Sequence, residues 1–349
     1  MDRQERAAAL DVRYLLHGQL VSRALCAVAA LGIPDLLTAG PLSPAELARR
    51  TGADPSRLRQ LIAALVPFEV FTIRPDGEVE LARLGRALTT DAAGSALAGA
   101  QLAHDLMSQA WQGLPETVRT GVPAFDRAFG GDLFTHLDRD PGLRTVFDRS
   151  QANDLELEVD AILRSGDFGT TGTVVDVGGG DGTLLVHLLA AHPGLRGVLV
   201  DRPIAVAAAR GRLAAAGLAE RAEATPGDFF KTLPARGDVY FMREVLHDWD
   251  DDQCVTILRT CRQAMPAAAR LLVVELASDE TPGTGPEARM TGLMSLYMLA
   301  VLPGRERCPA DYARMMAAAG LRVQSITHLT GQKVLIEASA ETPGPPPRG

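Results

Sequence analysis

Residues 173–182 read TVVDVGGGDG, and a helix-like run, TLLVHLLAA, follows at 183–191. A short β-branched run that ends in clustered glycines brings backbone close to a ligand and allows φ > 0 where a side chain would clash. A dinucleotide fingerprint would require G-x-G-x-x-G, but position 183 is Thr and the pattern is D-x-G-x-G-x-G. Asp201 ends the next apolar run, 19 residues after Gly182, where a carboxylate can hold the two hydroxyls of a ribose. Loop and acid together point to a nucleoside-containing cofactor rather than a structural turn. A pyrophosphate wants bare N–H groups and a helix dipole, whereas a sulfonium with an amino-acid tail tolerates carboxylates. Asp176 and Asp181 flank the loop, which favours the cation.

Outward from this loop, short β-branched runs alternate with helical segments, as a parallel sheet with crossover helices requires. Strands are expected at 173–177, 197–201, 238–242 and 270–275, with a weak one near 222–224. Near the end, 321–327 and 332–338 are separated by a four-residue turn, which makes an antiparallel hairpin at one edge. The N-terminal part reads as helices: 15–37, then starts at Ser43-Pro44-Ala45-Glu46 and Asp54-Pro55-Ser56. A hairpin at 70–73 and 78–81 completes a winged-helix pattern. Such a module often binds DNA, but its second helix offers only Arg57 and Arg59, so packing or dimerisation is the better reading. The expected domains are 1–110, helical; 111–165, a connector carrying Trp111, Phe125 and Phe147 and a helical stretch at 148–163; 166–340, the α/β domain; and 341–349, a disordered Pro/Gly tail.

The chain has 349 residues, 46% of them apolar, enough for two domains. Lys plus Arg total 35 against 43 Asp plus Glu, a net charge of -8, and no basic run exists to neutralise phosphates. A nucleic-acid partner is not expected. Charged residues and prolines interrupt each long apolar stretch, so no membrane span is expected, and the N-terminus lacks a signal-peptide pattern. A cytoplasmic location follows. Four scattered cysteines, Cys26, Cys254, Cys261 and Cys308, read as reduced thiols rather than a metal site.

The pieces VVDVGGGDG, VDRP, GDFF, LHDWDDDQC, VVEL and GRER, in that order, resemble the S-adenosylmethionine-dependent small-molecule O-methyltransferases, the plant caffeic-acid-type and bacterial antibiotic-pathway enzymes. The N-terminal half resembles that family's dimerisation module. The resemblance implies a Rossmann-like methyltransferase sheet, a homodimer, and methyl transfer to a small aromatic hydroxyl with no metal. It implies that Asp176, Gly178, Gly180 and Gly182 form the methionine-side loop, Asp201 holds the ribose, and Asp228 with Phe229 bounds the adenine. As a bare residue Asp228 reads equally as a helix cap. Arg243 stands where the family usually has a Lys near the cofactor carboxylate.

In the family His247 is the general base, flanked by Glu275 and Glu306, which without the motif read as a strand-end acid and a surface ion-pair partner. Relatives with Asn in place of this His have drifted to proximity-driven transfer or hydroxylation. The segment 289–302 resembles the acceptor-lining helix, with Met290, Met294, Tyr297 and Met298 near helical spacing, and Ser295 where relatives often carry Asp. Trp111, Phe125 and Phe147 are further pocket candidates, with core packing as the alternative for all three. A phenol near pKa 10 and a His near 6.5 differ by ~3.5 units, so full proton transfer is uphill by roughly 5 kcal/mol. A paired carboxylate and a concerted transfer reduce that barrier. Two rival readings are a relative that runs hydroxylation, decarboxylation or N-methylation, and a non-catalytic winged-helix regulator on DNA.

Overall fold

The computed structural model describes residues 2–281 and 283–341. The expected disordered tail, apart from Glu341, lies outside the described residues. The chain divides into two compact units, residues 1–108 with 141–157, and residues 109–140 with 158–349. The segment read as a connector is thus shared between them.

In the first unit, a 28-residue helix, Arg3–Ala30, starts at a capping box between Asp2 and Glu5. Left-handed Gly32 (φ 64°) then breaks the helical run into a separate turn, Ile33–Leu36. The helix Pro44–Thr51 opens where Ser43 Oγ accepts from Glu46 N (3.1 Å), and the helix Pro55–Leu65 opens where Asp54 accepts from Ser56 N and Arg57 N. Strands β1 (Phe71–Ile73) and β2 (Val79–Leu81) pair antiparallel, completing the helix-helix-wing arrangement. Val28, Ile33, Leu47, Ile62, Leu65, Phe71 and Val79 form its core, each contributing about 1.5–3 kcal/mol on burial. By contrast, Leu10, Tyr14, Leu15, Leu16 and Leu20 on the long helix are exposed.

The second unit holds seven strands: β3 (Gly172–Val177), β4 (Leu195–Asp201), β5 (Ala222–Pro226), β6 (Val239–Arg243), β7 (Arg270–Leu276), β8 (Leu321–His328) and β9 (Lys333–Ala340). Their order is β5-β4-β3-β6-β7-β9-β8. The first five in that order run parallel, and β9 pairs antiparallel with both β7 and β8. The expected antiparallel edge hairpin is therefore present. The weak strand at 222–224 is a full strand because β4 supplies a complete parallel ladder to it. Val175, Val177, Tyr240, Met242, Leu271, Leu272, Val273 and Val274 are buried, as strands covered on both faces require.

Successive connections leave β3 toward β4 on one side and return to β6 on the other. The crevice outside the carboxyl ends of β3 and β6 is thus the topological switch point, where open α/β sheets bind ligands. The stretch expected as one helix at 148–163 is two, Pro141–Glu156 and Val159–Ser165. The break comes at Glu158, whose carboxylate is drawn to Arg243 and Lys333. No described helix is long and apolar enough to cross a membrane. All four cysteines are free thiols.

Candidate active site

Strand β3 exits into Gly178 (φ 73°), Gly179, Gly180 (φ 57°) and Gly182 (φ 80°), and the last opens the helix Thr183–Ala191. Three left-handed positions in five residues strongly favour glycine, which carries no Cβ penalty there. A Cβ on Gly178 would lie 2.8 Å from Val245 and 3.7 Å from the Phe229 ring, so the loop sits against both. A Cβ on Gly179 would fall 2.4 Å from Asp176 Oδ2. Asp201, at the end of β4, accepts from Gly180 N (2.8 Å) and Arg202 N (2.6 Å), tying the two strand exits together.

The two acids flanking the loop have different duties. Asp181 accepts from Thr183 N (3.0 Å) and Thr183 Oγ1 (2.7 Å) and pairs with Arg212. It is a turn-stabilising residue. Asp176 is buried, and its Oδ2 has no hydrogen-bond partner among the described residues. Burial, then the charge of Asp201, pushes its carboxyl up to about 7. The acidic pair behind the loop is therefore Asp176 with Asp201, a pairing that linear proximity hid. Asp228 accepts from Phe230 N (3.0 Å) and pairs with Lys231 (2.8 Å), so it closes a turn at 229–231 and no helix follows for it to cap. Phe229 packs between Phe230 and Trp249 at ring distances of 5.2 and 6.1 Å.

Strand β6 exits through Arg243 and Glu244, and Glu244 is left-handed at φ 52°. A closed ring of alternating charge surrounds that turn. Arg243 pairs with Glu158, Glu158 with Lys333 (2.9 Å), Lys333 with Glu244, and Glu244 with Arg243 (2.9 Å). Burial alone would raise the Glu244 carboxyl, but Arg243 and Lys333 hold it far below the usual carboxylate range. Glu158 and Lys333 carry no sequence signal of this role, since they lie 85 and 89 residues from their partners. Removing one member leaves a charge uncompensated, so Lys333→Met is expected to destabilise the chain by about 2–4 kcal/mol. Lys333→Arg should recover most of that loss in a denaturant melt, and equal stability of Lys333→Met and wild type would show the ring to be idle.

Next comes the turn Leu246–Asp248, with His247 buried at the carboxyl end of the sheet. Its Nδ1 lies 3.2 Å from Glu306 Oε1 and 3.8 Å from Glu275 Oε2, while Nε2 lies 3.4 Å from Asp248 Oδ1. Glu275, wholly buried at the end of β7, is pinned by Val245 N (3.2 Å) and Leu246 N (2.8 Å) donating to Oε1. The two carboxylates expected around the imidazole are thus in place, and Asp248 is a third that motif reading passed over. Burial opposes the imidazolium, but Glu275, Asp248 and Glu306 outweigh it and push the His247 pKa up to about 10. Burial raises the Asp248 and Glu275 carboxyls to about 7 each, with the His247 charge pulling them back. Despite these acids, no group of His, Cys, Asp and Glu among the described residues has a metal-holding arrangement.

The helix Pro286–Val301 carries Met298 buried, Met294 and Tyr297 half-buried, and Met290 exposed. Trp111 meets Tyr297 edge-on at 6.5 Å, which joins the aromatic candidate to the methionine stripe. Phe125 is fully buried and stacked on Phe129 at 4.5 Å, so its role is packing. Phe147 lies on Pro141–Glu156 in the first unit, half-buried.

Residues 111–322 match the family described as the O-methyltransferase domain, and residues 14–91 match the O-methyltransferase dimerisation domain. The chain is 42% identical over 330 residues to O-methyltransferase SfmM3 of Streptomyces lavendulae, covering 94% of this chain and 99% of that relative. The structure of the mitomycin 7-O-methyltransferase MmcR superposes with a TM-score of 0.89 at 35% identity, covering 97% of this chain and all of that one (100%). NcsB1, an O-methyltransferase from neocarzinostatin biosynthesis in complex with S-adenosylmethionine and 2-hydroxy-5-methyl naphthoic acid, matches with a TM-score of 0.80. Its identity is 33%, and the match covers 92% of this chain and 96% of that chain. Left-handed glycine loop, buried imidazole among carboxylates and family match agree: the chain is a member of the O-methyltransferase family.

Proposed function

We propose that this enzyme moves the methyl group of S-adenosylmethionine to a phenolic hydroxyl of a small aromatic secondary metabolite, with His247 as general base. The observation that carries the reading is the buried imidazole whose Nδ1 is held by Glu306 at 3.2 Å, beside the glycine loop at the switch point of the sheet. The complex of NcsB1 with a hydroxynaphthoic acid supports an aromatic acceptor.

The residues fit the methyl donor. Asp176 Oδ2 is a buried acceptor without a partner among the described residues, suited to a cationic group, and glycine at 179 keeps a Cβ from closing on it at 2.4 Å. Asp201, fixed in place by two backbone donors, would hold the ribose, and Asp228 with Phe229 would bound an adenine. Arg243 joins this set with its guanidinium already paired to Glu158 and Glu244. When bound, S-adenosylmethionine supplies an electrophilic methyl on a sulfonium.

With Nδ1 donating to Glu306, Nε2, 3.4 Å from Asp248 Oδ1, would be the basic nitrogen that takes the acceptor's proton. At a pKa of about 10 the imidazole matches an ordinary phenol in basicity, so the roughly 5 kcal/mol gap of an unperturbed His is exchanged for the cost of freeing the imidazole of its own proton at neutral pH. Met294, Met298, Tyr297 and Trp111 offer an apolar, adaptable wall for a planar ring. A homodimer is supported by the dimerisation-domain match and by the exposed Leu10, Tyr14, Leu15, Leu16 and Leu20, surface that a partner would cover.

Incubation with methyl-labelled S-adenosylmethionine and a panel of polyphenols should yield one methoxylated product and one S-adenosylhomocysteine per turnover. A hydroxylated product, or an N-methylated one from aniline analogues only, would replace this reading with the corresponding relative's chemistry.

A further inference from the structure

The segment Gly304-Arg305-Glu306-Arg307 supplies more than Glu306. Arg307 heads the fully buried side chains by volume, with 1% of its surface exposed. Its Nε donates to Asp251 Oδ1 (2.9 Å), one terminal nitrogen donates to Leu246 O (3.0 Å) and Arg305 O (3.3 Å), and the other donates to Trp249 O (2.6 Å). The two loop carbonyls so gripped stand on either side of His247-Asp248. Cys254 Sγ donates to the same Leu246 O at 3.0 Å.

Gly304 presses on the tetrapeptide from another direction. A Cβ there would come within 1.9 Å of His247 O, 2.5 Å of Asp248 C and 2.6 Å of Trp249 N. Those are backbone atoms, which cannot swing aside as a flexible side chain would. Arg307 in turn is anchored to the continuation of β7: Ser278 N donates to Arg307 O (3.0 Å), and Ala277 bridges to Arg307 in parallel register. One four-residue segment therefore touches both the ring of His247, through Glu306, and its backbone, through Gly304 and Arg307.

Burying a guanidinium costs several kcal/mol before its partners are counted. Joining this turn to the helix Asp251–Ala264 would not require that cost, because the Asp250 capping box and the Cys254 thiol already do so. A rigid planar fork that grips two carbonyls three residues apart is what Lys cannot supply.

We propose that Arg307 and Gly304 are positioning residues for His247. They set the height of the Leu246–Trp249 backbone against Glu306 and Glu275, so that Nδ1 stays on its carboxylates and Nε2 keeps one direction. The proposal rests on the general-base reading of His247.

The test measures Arg307→Lys, Gly304→Ala and His247→Ala singly, and each of the first two in the His247→Ala background. Arg307→Lys and Gly304→Ala should each lower kcat about 10–100-fold, as a displacement of the base near 1 Å would. The Kd for S-adenosylmethionine should stay within about twofold, and neither substitution should lower turnover further once His247 is Ala. If His247→Ala alone turns over normally, the general-base reading fails and takes the proposal with it. If His247→Ala is impaired while either single variant is at wild-type rate, or while the losses multiply in the double variants, the positioning proposal alone fails. Should Arg307→Lys not fold, Gly304→Ala, which alters no charge or donor, carries the same criteria. Cofactor binding lost in step with turnover in both variants would mark the segment as scaffold and overturn the proposal.

Discussion

His247→Ala is expected to cut turnover by about 10²–10⁴-fold while leaving the affinity for S-adenosylmethionine within a few-fold of wild type. The expected split follows from where the residue sits. His247 faces Glu306, Glu275 and Asp248, whereas the glycine loop is lined by Asp176, Asp201, Val245 and Phe229. Glu275 keeps its two backbone donors when the imidazole is removed, so the loop retains its anchor. Initial rates with the best acceptor, alongside a calorimetric titration of the methyl donor, check both halves. His247→Asn separates shape from basicity, because it refills much of the cavity and accepts no proton. Near-normal turnover in either variant would show that holding the acceptor close to the methyl group suffices.

The second large effect is on pH. With the His247 pKa near 10, the free imidazole is scarce at neutrality, and each unit of rising pH makes about tenfold more of it. The kcat/KM for a phenol should therefore climb about 100-fold between pH 7 and 9, whereas an unperturbed His near 6.5 would give a plateau above about pH 7.5. Glu306→Gln removes one of the charges that favour the imidazolium, so its rising limb should move to lower pH. A flat profile in wild type, or no movement in Glu306→Gln, would remove the carboxylates from the proton-transfer scheme. The same protonation is linked to folding. A His whose folded pKa is raised adds stability that is fully present below about pH 6.5 and is lost as pH rises through about 10. Activity and stability should thus run in opposite directions across the alkaline range.

Much of the second unit was legible because its signals are local. The strands β3 to β7 are short apolar runs between glycines and acids, and a four-residue turn can join β8 to β9 only as an antiparallel hairpin. The caps at Ser43 and Asp54 act within three residues, so the helices they open were equally readable. The break before Glu158 was not, because the charged partner that Glu158 meets there, Arg243, lies 85 residues away in the chain. Asp181 misled for the converse reason. Sequence proximity put it beside Asp176, but its oxygens turn to Thr183 and Arg212, and after burial the charge of Asp201, from the next strand, raises Asp176 more than that of Asp181 does. Asp248 was overlooked because its neighbour in the motif absorbed the chemistry.

What the amino-acid sequence by itself determined is the alternation of strand and helix, the left-handed glycine turn, the winged-helix pattern and the identity of the residues around the imidazole. The first three follow from side-chain periodicity and backbone sterics acting over a few positions, and the last from the resemblance to a family whose motifs carry those residues. Only the tertiary structure decided which charges meet: the Arg243–Glu158–Lys333–Glu244 ring, the carboxylates that make His247 a strong base, and the grip of Arg307 on Leu246 and Trp249. Coulombic and hydrogen-bond energies depend on distance through space and on burial, and neither is set until the sheet brings the ends of β6, β7 and β9 side by side.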